Sequence, residues 1–410
     1  MLPALDLDYI RAQFPALAGD WVFFDNAGGS QTLATVAERI SDYLLTSNVQ
    51  LGASYAVSQQ SGARVRDAHL SIAELIGAAR PDEIVMGPST TALMYTLAAA
   101  LAEEIAPGDE IVVTDTDHEA NIGPWLKLAE QKGAVVKTWA VRPETLELEL
   151  ADLDVLMTPR TKLVCFTHAS NILGTINPVA EITRFVHERG ARVVVDAVAL
   201  APHRAVEVAA WDVDFYIFSF YKVYGPHHAV LYGKYEHLLA LPSLNHFFIG
   251  REVVPYKLQQ GNVNYELSVG CTAITDYMVE LGGRTGSRTD RRGQILAGFD
   301  AIAQQEEQLA ERLLSFLRSR NSVRIIGNPS ADRGRRVPTI SFIAENHRSD
   351  EVVTRVDEHR IGIRYGDFYA RRLIEKLDLT RHAGVIRVSM VHYNTVAEVD
   401  RLVEALDRIL

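Results

Sequence analysis

Phe215-Tyr216-Ile217-Phe218-Ser219-Phe220-Tyr221-Lys222, followed by Val223-Tyr224-Gly225-Pro226, is the stretch from which the rest of the chain can be read. The apolar, aromatic run predicts a buried strand, and the glycine-proline pair predicts the turn that ends it. A flexible amine is thereby delivered where the strand stops. Lysine is mostly a solvated residue, so an exposed strand end accounts for Lys222 on local grounds. A buried amine, in contrast, tends to lose its proton and becomes the kind of nucleophile that forms an imine. The rest of the chain decides between these readings.

Toward the N-terminus the same kind of segment recurs at regular intervals. Strands are expected at 83–86, 110–114, 135–140, 163–167 and 192–196, and helices at 92–104, 122–131 and 179–189. Short Val/Ile-rich runs alternating with helices predict an α/β fold with a mostly parallel sheet, whose ligand crevice lies at the carboxyl ends of the strands. Earlier still, a helix at 8–14 is ended by Pro15, a short strand at 22–25 leads into Asn26-Ala27-Gly28-Gly29, a helix follows at 33–45, and 48–58 reads as a loop. After about Gly282 the alternation stops. A long amphipathic helix at 294–319, strands at 337–342 and 385–389, and helices at 350–359 and 396–410 predict a smaller α+β domain. The expected organisation is an N-terminal segment, 1–20, packing on the small domain, a large domain over 21–282 and a small C-terminal domain over 283–410.

A chain of 410 residues exceeds the size at which a single core stops growing, in keeping with two domains. Its net charge of −11, with no Lys/Arg-rich block to interrupt it, argues against a nucleic-acid surface. No apolar run is long enough to span a bilayer, and the first residues show no basic-then-apolar leader, so no membrane partner and a cytoplasmic location are expected. The two cysteines, Cys165 and Cys271, both lie in apolar stretches and have no metal or redox-pair spacing.

Several polar residues fall at strand ends, where an ordinary core would avoid them. Asp196 closes Val193-Val194-Val195-Asp196; as a turn former it is unremarkable, but its pairing with a strand-end lysine further on suits a cofactor site. Ser89-Thr90-Thr91 opens a helix, where backbone amides and hydroxyls either cap the helix or bind an anion. His118 sits between a strand and a helix, and Asn171 follows Thr167-His168-Ala169-Ser170; each reads equally as a loop residue or as a contact to a ligand ring. There is no dinucleotide fingerprint or P-loop, and the histidines, the His227-His228 pair included, lack helical metal-binding spacing, so no metal is expected.

Taken together, the ordered set Thr90-Thr91, His118, Asn171, Asp196, Ser219 and Lys222 resembles class V aminotransferase-type pyridoxal phosphate enzymes, and most closely the cysteine desulfurase and selenocysteine lyase branch. The similarity runs from Phe24-Asp25-Asn26-Ala27 through Asp117-His118-Glu119-Ala120-Asn121 to Tyr393-Asn394-Thr395. It implies the fold type I of pyridoxal-phosphate-dependent transferases, with a seven-stranded sheet between helices, and pyridoxal 5'-phosphate as cofactor. Lys222 would carry the cofactor, Asp196 would pair with its ring nitrogen and His118 would stack on the ring. Asn171 would approach the ring hydroxyl, while Thr90, Thr91 and Ser219 would hold the phosphate. The resemblance also implies a homodimer in which Asn262, in Gln260-Gly261-Asn262, reaches the phosphate of the other copy. Arg387 would grip the substrate α-carboxylate, with Arg364, Asn26 and Tyr369 on the substrate side.

The departures from that pattern bear on the reaction. Where the desulfurases carry the cysteine that takes up sulfur, this chain reads Arg364-Tyr365-Gly366-Asp367-Phe368-Tyr369-Ala370, and a phenol cannot hold a persulfide. Ala199 replaces a glutamine near the ring hydroxyl, and Tyr221 replaces the histidine before the lysine. The expected function is a pyridoxal-phosphate-dependent lyase acting at the α-carbon of a β-substituted amino acid, a desulfurase-like C–S or C–Se elimination without a persulfide cysteine. A class V aminotransferase or an epimerase resembling isopenicillin N epimerase is the alternative, and a non-catalytic cofactor-binding protein the second.

Overall fold

The computed structural model describes residues 5–287 and 289–410. In chain order its strands are β1 (Val22–Phe23), β2 (Ile84–Gly87), β3 (Glu110–Thr114), β4 (Val135–Trp139), β5 (Thr161–Thr167), β6 (Arg192–Asp196), β7 (Phe215–Ser219), β8 (Ala229–Gly233), β9 (Val323–Ile326), β10 (Thr339–Ala344), β11 (Ile361–Gly362), β12 (Arg364–Gly366) and β13 (Val385–Ser389). Seven of them form one sheet in the order β2-β8-β7-β6-β5-β3-β4. Only β8 runs against the rest, pairing antiparallel with both β7 and β2. The expected mostly parallel, seven-stranded sheet is therefore present.

Both faces of this sheet are buried, which is why its strands read as continuous apolar runs. Val193, Val195, Tyr216 and Phe218 enter one core with Ile72, Ile274 and Phe299. Val194, Phe215 and Ile217 enter the other with Leu97, Ile122 and Trp125. Parallel neighbours place their carboxyl ends on one edge, so Thr167, Asp196 and Ser219 close β5, β6 and β7 side by side. The helix Thr90–Leu101 begins beside them, its first turn capped by the Ser89 hydroxyl, which accepts from the Ala92 amide at 3.1 Å.

Two long helices escape the sequence reading. Ala56–Ile76 begins inside the stretch read as a loop. Its inward positions include Ser58 and Ser61, so the apolar stripe is diluted; Ser58 Oγ donates to the Gln50 carbonyl at 2.7 Å, and Ser61 pairs with Tyr43. Tyr265–Arg284 is buried over most of its circumference and carries glycines. A Cβ at Gly282 would stand 1.8 Å from the Gln294 carbonyl, so this glycine is what lets the next helix, Arg291–Arg318, pass close by.

In the C-terminal part, four strands in the order β12-β13-β10-β9 form an antiparallel sheet with its own core around Leu313, Phe342, Val388 and Leu402. β13 also meets the N-terminal part, where Asp25 forms a parallel bridge with Ser389 and β1 pairs with β11. Arg11 makes a 2.9 Å ion pair with Glu398, and Phe14 packs edge-on against Tyr224 and Tyr277. The N-terminal segment thus touches both parts of the molecule. Among the described residues no helix is long and apolar enough to cross a membrane.

Candidate active site

The carboxyl edge of the large sheet opens into a cavity lined by Thr90, Thr91, His118, Asn171, Asp196, Ser219 and Lys222, together with Ser89, Ala199 and Tyr221. Residues spread over 130 positions of sequence are brought together by the ends of five strands. Each can be traced to the element that holds it.

Lys222 ends a single 3-10 turn, Phe220–Lys222, directly after β7. It is only 8% exposed. Burial, helped by the positive charge of Arg387, lowers its ammonium to a pKa of about 8, while Asp196 and Asp25 oppose the shift; no hydrogen bond contributes. At β6, Asp196 Oδ1 accepts from the Val198 amide at 2.9 Å, and burial raises the carboxyl to about 6. An amine and a carboxylate thus share a cavity wall with donor and acceptor capacity left over.

Ser219 and Thr90 tie the end of β7 to the start of the helix. Their hydroxyls lie 2.7 Å apart, and the Thr90 amide donates to Ser219 Oγ at 3.3 Å. The helix is long enough, at 12 residues, for its unpaired amides and dipole to favour an anion beside these hydroxyls.

Nδ1 of His118 accepts from the Ala120 amide at 3.0 Å, so the ring's proton is on Nε2. Burial and the nearby Lys222 and Arg387 lower its pKa to about 4, which leaves a neutral flat ring facing the cavity. The preceding residue, Asp117, is a structural lock the sequence reading missed. Its carboxylate accepts from the Thr114 hydroxyl, from the Thr167 amide at 3.0 Å and from Asn121 Nδ2 at 2.6 Å, joining the ends of β3 and β5 under His118. Burial raises that carboxyl to about 7, with the hydrogen bonds pulling the other way.

On the side of the small domain, Arg387 on β13 is 2% exposed and close enough for its charge to act on Lys222 and His118. Nη2 donates to Asp25 Oδ1 at 2.9 Å and Nη1 to the Asn171 carbonyl at 3.3 Å, whereas Nε is buried with no hydrogen-bond partner among the described residues. Arg364 Nη1 lies 3.7 Å from the other oxygen of Asp25. Asp25 was a signal available in the sequence, since Val22-Phe23-Phe24-Asp25 is an apolar run ending on an acid, as is 193–196.

Of the residues singled out in the sequence, Arg387, Arg364, Asn26, Asn262 and Tyr369 are not part of this cavity's lining. The Asn26 amide donates to the carbonyls of Ser389 at 2.8 Å and Phe23 at 3.0 Å and to Asn394 Oδ1 at 3.2 Å, and its oxygen accepts from the Tyr393 hydroxyl. Its polar atoms are engaged in joining β13 to the N-terminal strand. Asn262 lines a separate cavity with Gly87, Pro88, Ala92 and His227. Tyr369 is 70% exposed, its ring 5.1 Å from that of His118.

These residues fit pyridoxal phosphate: a buried amine without a hydrogen bond, a carboxylate with an oxygen to spare, a neutral ring, hydroxyls at a helix start and an orphaned guanidinium nitrogen. Comparison with known proteins agrees. The Aminotransferase class-V family matches residues 22–402. The chain is 44% identical to the aminotransferase-like protein FGM3 of Gibberella zeae, covering 99% of both chains. It is 33% identical to the cysteine desulfurase-like protein ustD of Aspergillus flavus, over 99% of this chain and 91% of that one. The crystal structure of the cysteine desulfurase CsdA from Escherichia coli superposes with a TM-score of 0.84 at 28% identity, covering 99% of this chain and 98% of that one. The chain belongs to the class-V aminotransferase family of pyridoxal-phosphate-dependent enzymes.

Proposed function

We propose that this protein is a lyase that binds pyridoxal 5'-phosphate on Lys222 and eliminates the β-substituent of an amino acid. The observation that carries this reading is the buried, unbonded amine of Lys222 sharing a cavity with Asp196. When bound, the cofactor supplies an electron sink for the α-carbon. Asp196 would keep a proton on the ring nitrogen, His118 would cover the ring face, and Asn171 would meet the ring hydroxyl. Thr90, Thr91 and Ser219 would hold the phosphate. Arg387 would take the substrate α-carboxylate in its planar fork, with Arg364 beside it. Lys222 Nζ, whose hold on its proton is loosened by burial, would accept the α-proton.

The state of the thiols supports elimination without a persulfide. Cys165 and Cys271 are both buried, and burial holds both well above the usual thiol range, so neither is a sulfur acceptor. Tyr369 occupies the loop position at which a desulfurase acts. The names of relatives point the same way in general terms, since one is called aminotransferase-like and another cysteine desulfurase-like. We also take the enzyme to be a cytoplasmic homodimer with Asn262 contributed across the interface, a reading supported by the position of Asn262 on a cavity next to Pro88 and Ala92, at the rim of the Thr90 helix.

The test is to incubate the purified holoenzyme with single amino acids while following sulfide, pyruvate, ammonia and the pyridoxamine spectrum together. Pyruvate with ammonia is the expected result. Accumulating pyridoxamine would make it a transferase, and a protein-bound persulfide would overturn the reading of Tyr369.

A further inference from the structure

The turn Asp367–Arg372 is held in a conformation that its sequence does not favour. Phe368 and Tyr369 are consecutive and neither is glycine, yet both are left-handed, with φ of 50° and 61°. Such backbone costs free energy and persists only where surroundings over-determine it, often at functional sites. The surroundings here do so. Asn171 Nδ2 donates to the Phe368 carbonyl at 2.9 Å, and the Glu119 amide donates to the Tyr369 carbonyl at 2.8 Å. The Arg372 guanidinium meets both oxygens of the Glu119 carboxylate, at 3.1 and 3.2 Å. Within the turn, the Tyr369 amide donates to Asp367 Oδ1 at 3.0 Å. Phe368 points inward, and the Arg387 guanidinium lies 3.7 Å above its ring.

Every one of these anchors belongs to, or adjoins, a residue of the cavity: Asn171 lines it, Glu119 follows His118, and Arg387 donates to the Asn171 carbonyl. The inward Phe368 leaves its neighbour Tyr369 on the exposed side of the turn, its ring 5.1 Å from that of His118, which lines the cavity, and tilted 36° to it. The turn is therefore tied to residues of the site while the phenol stands beside His118.

We propose that Tyr369 is a specificity-determining residue that limits the size of the substrate's β-substituent, and that Asn171, Glu119 and Arg372 are the positioning residues that hold it there. The proposal rests on the Lys222 reading and adds the substrate class: alanine derivatives with a small β-group, such as thiol or chloride, over those with an aryl or benzyl group. The phenolic hydroxyl takes no part in it; the ring does.

The experiment compares kcat/KM for β-chloroalanine and S-benzylcysteine in the holoenzyme and in Tyr369→Ala, Tyr369→Phe and Arg372→Ala. Tyr369→Ala should shift the ratio at least 10-fold toward the benzyl substrate, Tyr369→Phe should leave the ratio unchanged, and Arg372→Ala should shift it in the same direction by less. Hydrogen-deuterium exchange of the peptide covering 366–372, measured without substrate, should speed up in Arg372→Ala. A wild-type protein with normal cofactor absorbance whose ratio is unmoved by Tyr369→Ala, or whose turn exchanges equally fast with and without Arg372, overturns this inference alone. A wild type with no bound cofactor overturns the Lys222 reading, and this proposal falls with it.

Discussion

Nη2 of Arg387 donates to Oδ1 of Asp25 across 2.9 Å, although 362 positions of sequence separate them. Arg364 approaches the same carboxylate at 3.7 Å. Two guanidiniums around one carboxylate leave the cluster positive, and a substrate carboxylate would complete it.

Arg387→Lys should therefore raise KM for an amino-acid substrate by roughly 10- to 100-fold, with a smaller change in kcat, because a point charge replaces a two-pronged donor. The absorbance of the bound cofactor should not change. Steady-state kinetics with a spectrum of the same sample checks both; a KM like the wild type's would remove Arg387 from substrate binding.

Asp196→Asn keeps the shape of the site but cannot hold a proton on a ring nitrogen as a carboxylate does. Turnover should fall by roughly 100- to 1,000-fold with the fold intact. Single-turnover rates and circular dichroism distinguish this from unfolding.

Without cofactor, the depressed pKa of Lys222 is a cost to the fold. The unfolded chain binds this proton up to the ordinary lysine value of 10.5 and the folded chain only up to about 8, so the cost is complete below pH 8 and gone above pH 10.5. Cofactor-free Lys222→Met should be more stable than the wild type by up to about 3 kcal/mol at pH 7, and the gain should shrink through that window. Denaturant titrations at pH 7 and pH 10.5 measure it; a gain independent of pH would mean the amine is not responsible.

Asn26→Ala should behave as a structural variant. Losing a buried amide with four hydrogen-bond partners should cost about 2–3 kcal/mol in unfolding free energy while leaving KM nearly unchanged. A large rise in KM with little loss of stability would return Asn26 to the substrate side.

Much of this was legible beforehand, and the reasons differ by residue. Strands buried on both faces announce themselves as apolar runs, so 110–114, 192–196 and 385–389 match β3, β6 and β13 residue for residue. The residues at their ends, Asp196 and Lys222, stood out because polarity at the end of such a run is unusual. Ala56–Ile76 did not, because serines occupy inward positions there, and β8 was passed over inside a stretch of mixed glycines and histidines. Asp117 and the Phe368 turn were out of reach for another reason. Their roles come from hydrogen bonds between distant segments, and a single sequence carries no periodic trace of such contacts.

The cofactor should be carried by a single nitrogen. Two lysines have their pKa lowered to about 8 by burial, Lys222 and Lys257, but Lys257 Nζ already donates to the carbonyls of Leu239 at 3.0 Å and Leu241 at 2.6 Å. Borohydride reduction of the pyridoxal-phosphate-loaded protein, followed by peptide mass mapping, reads the attachment site directly. The cofactor's mass on the peptide containing Lys222, and its absence in Lys222→Ala, is the predicted result; label on Lys257, or on no lysine, would contradict it.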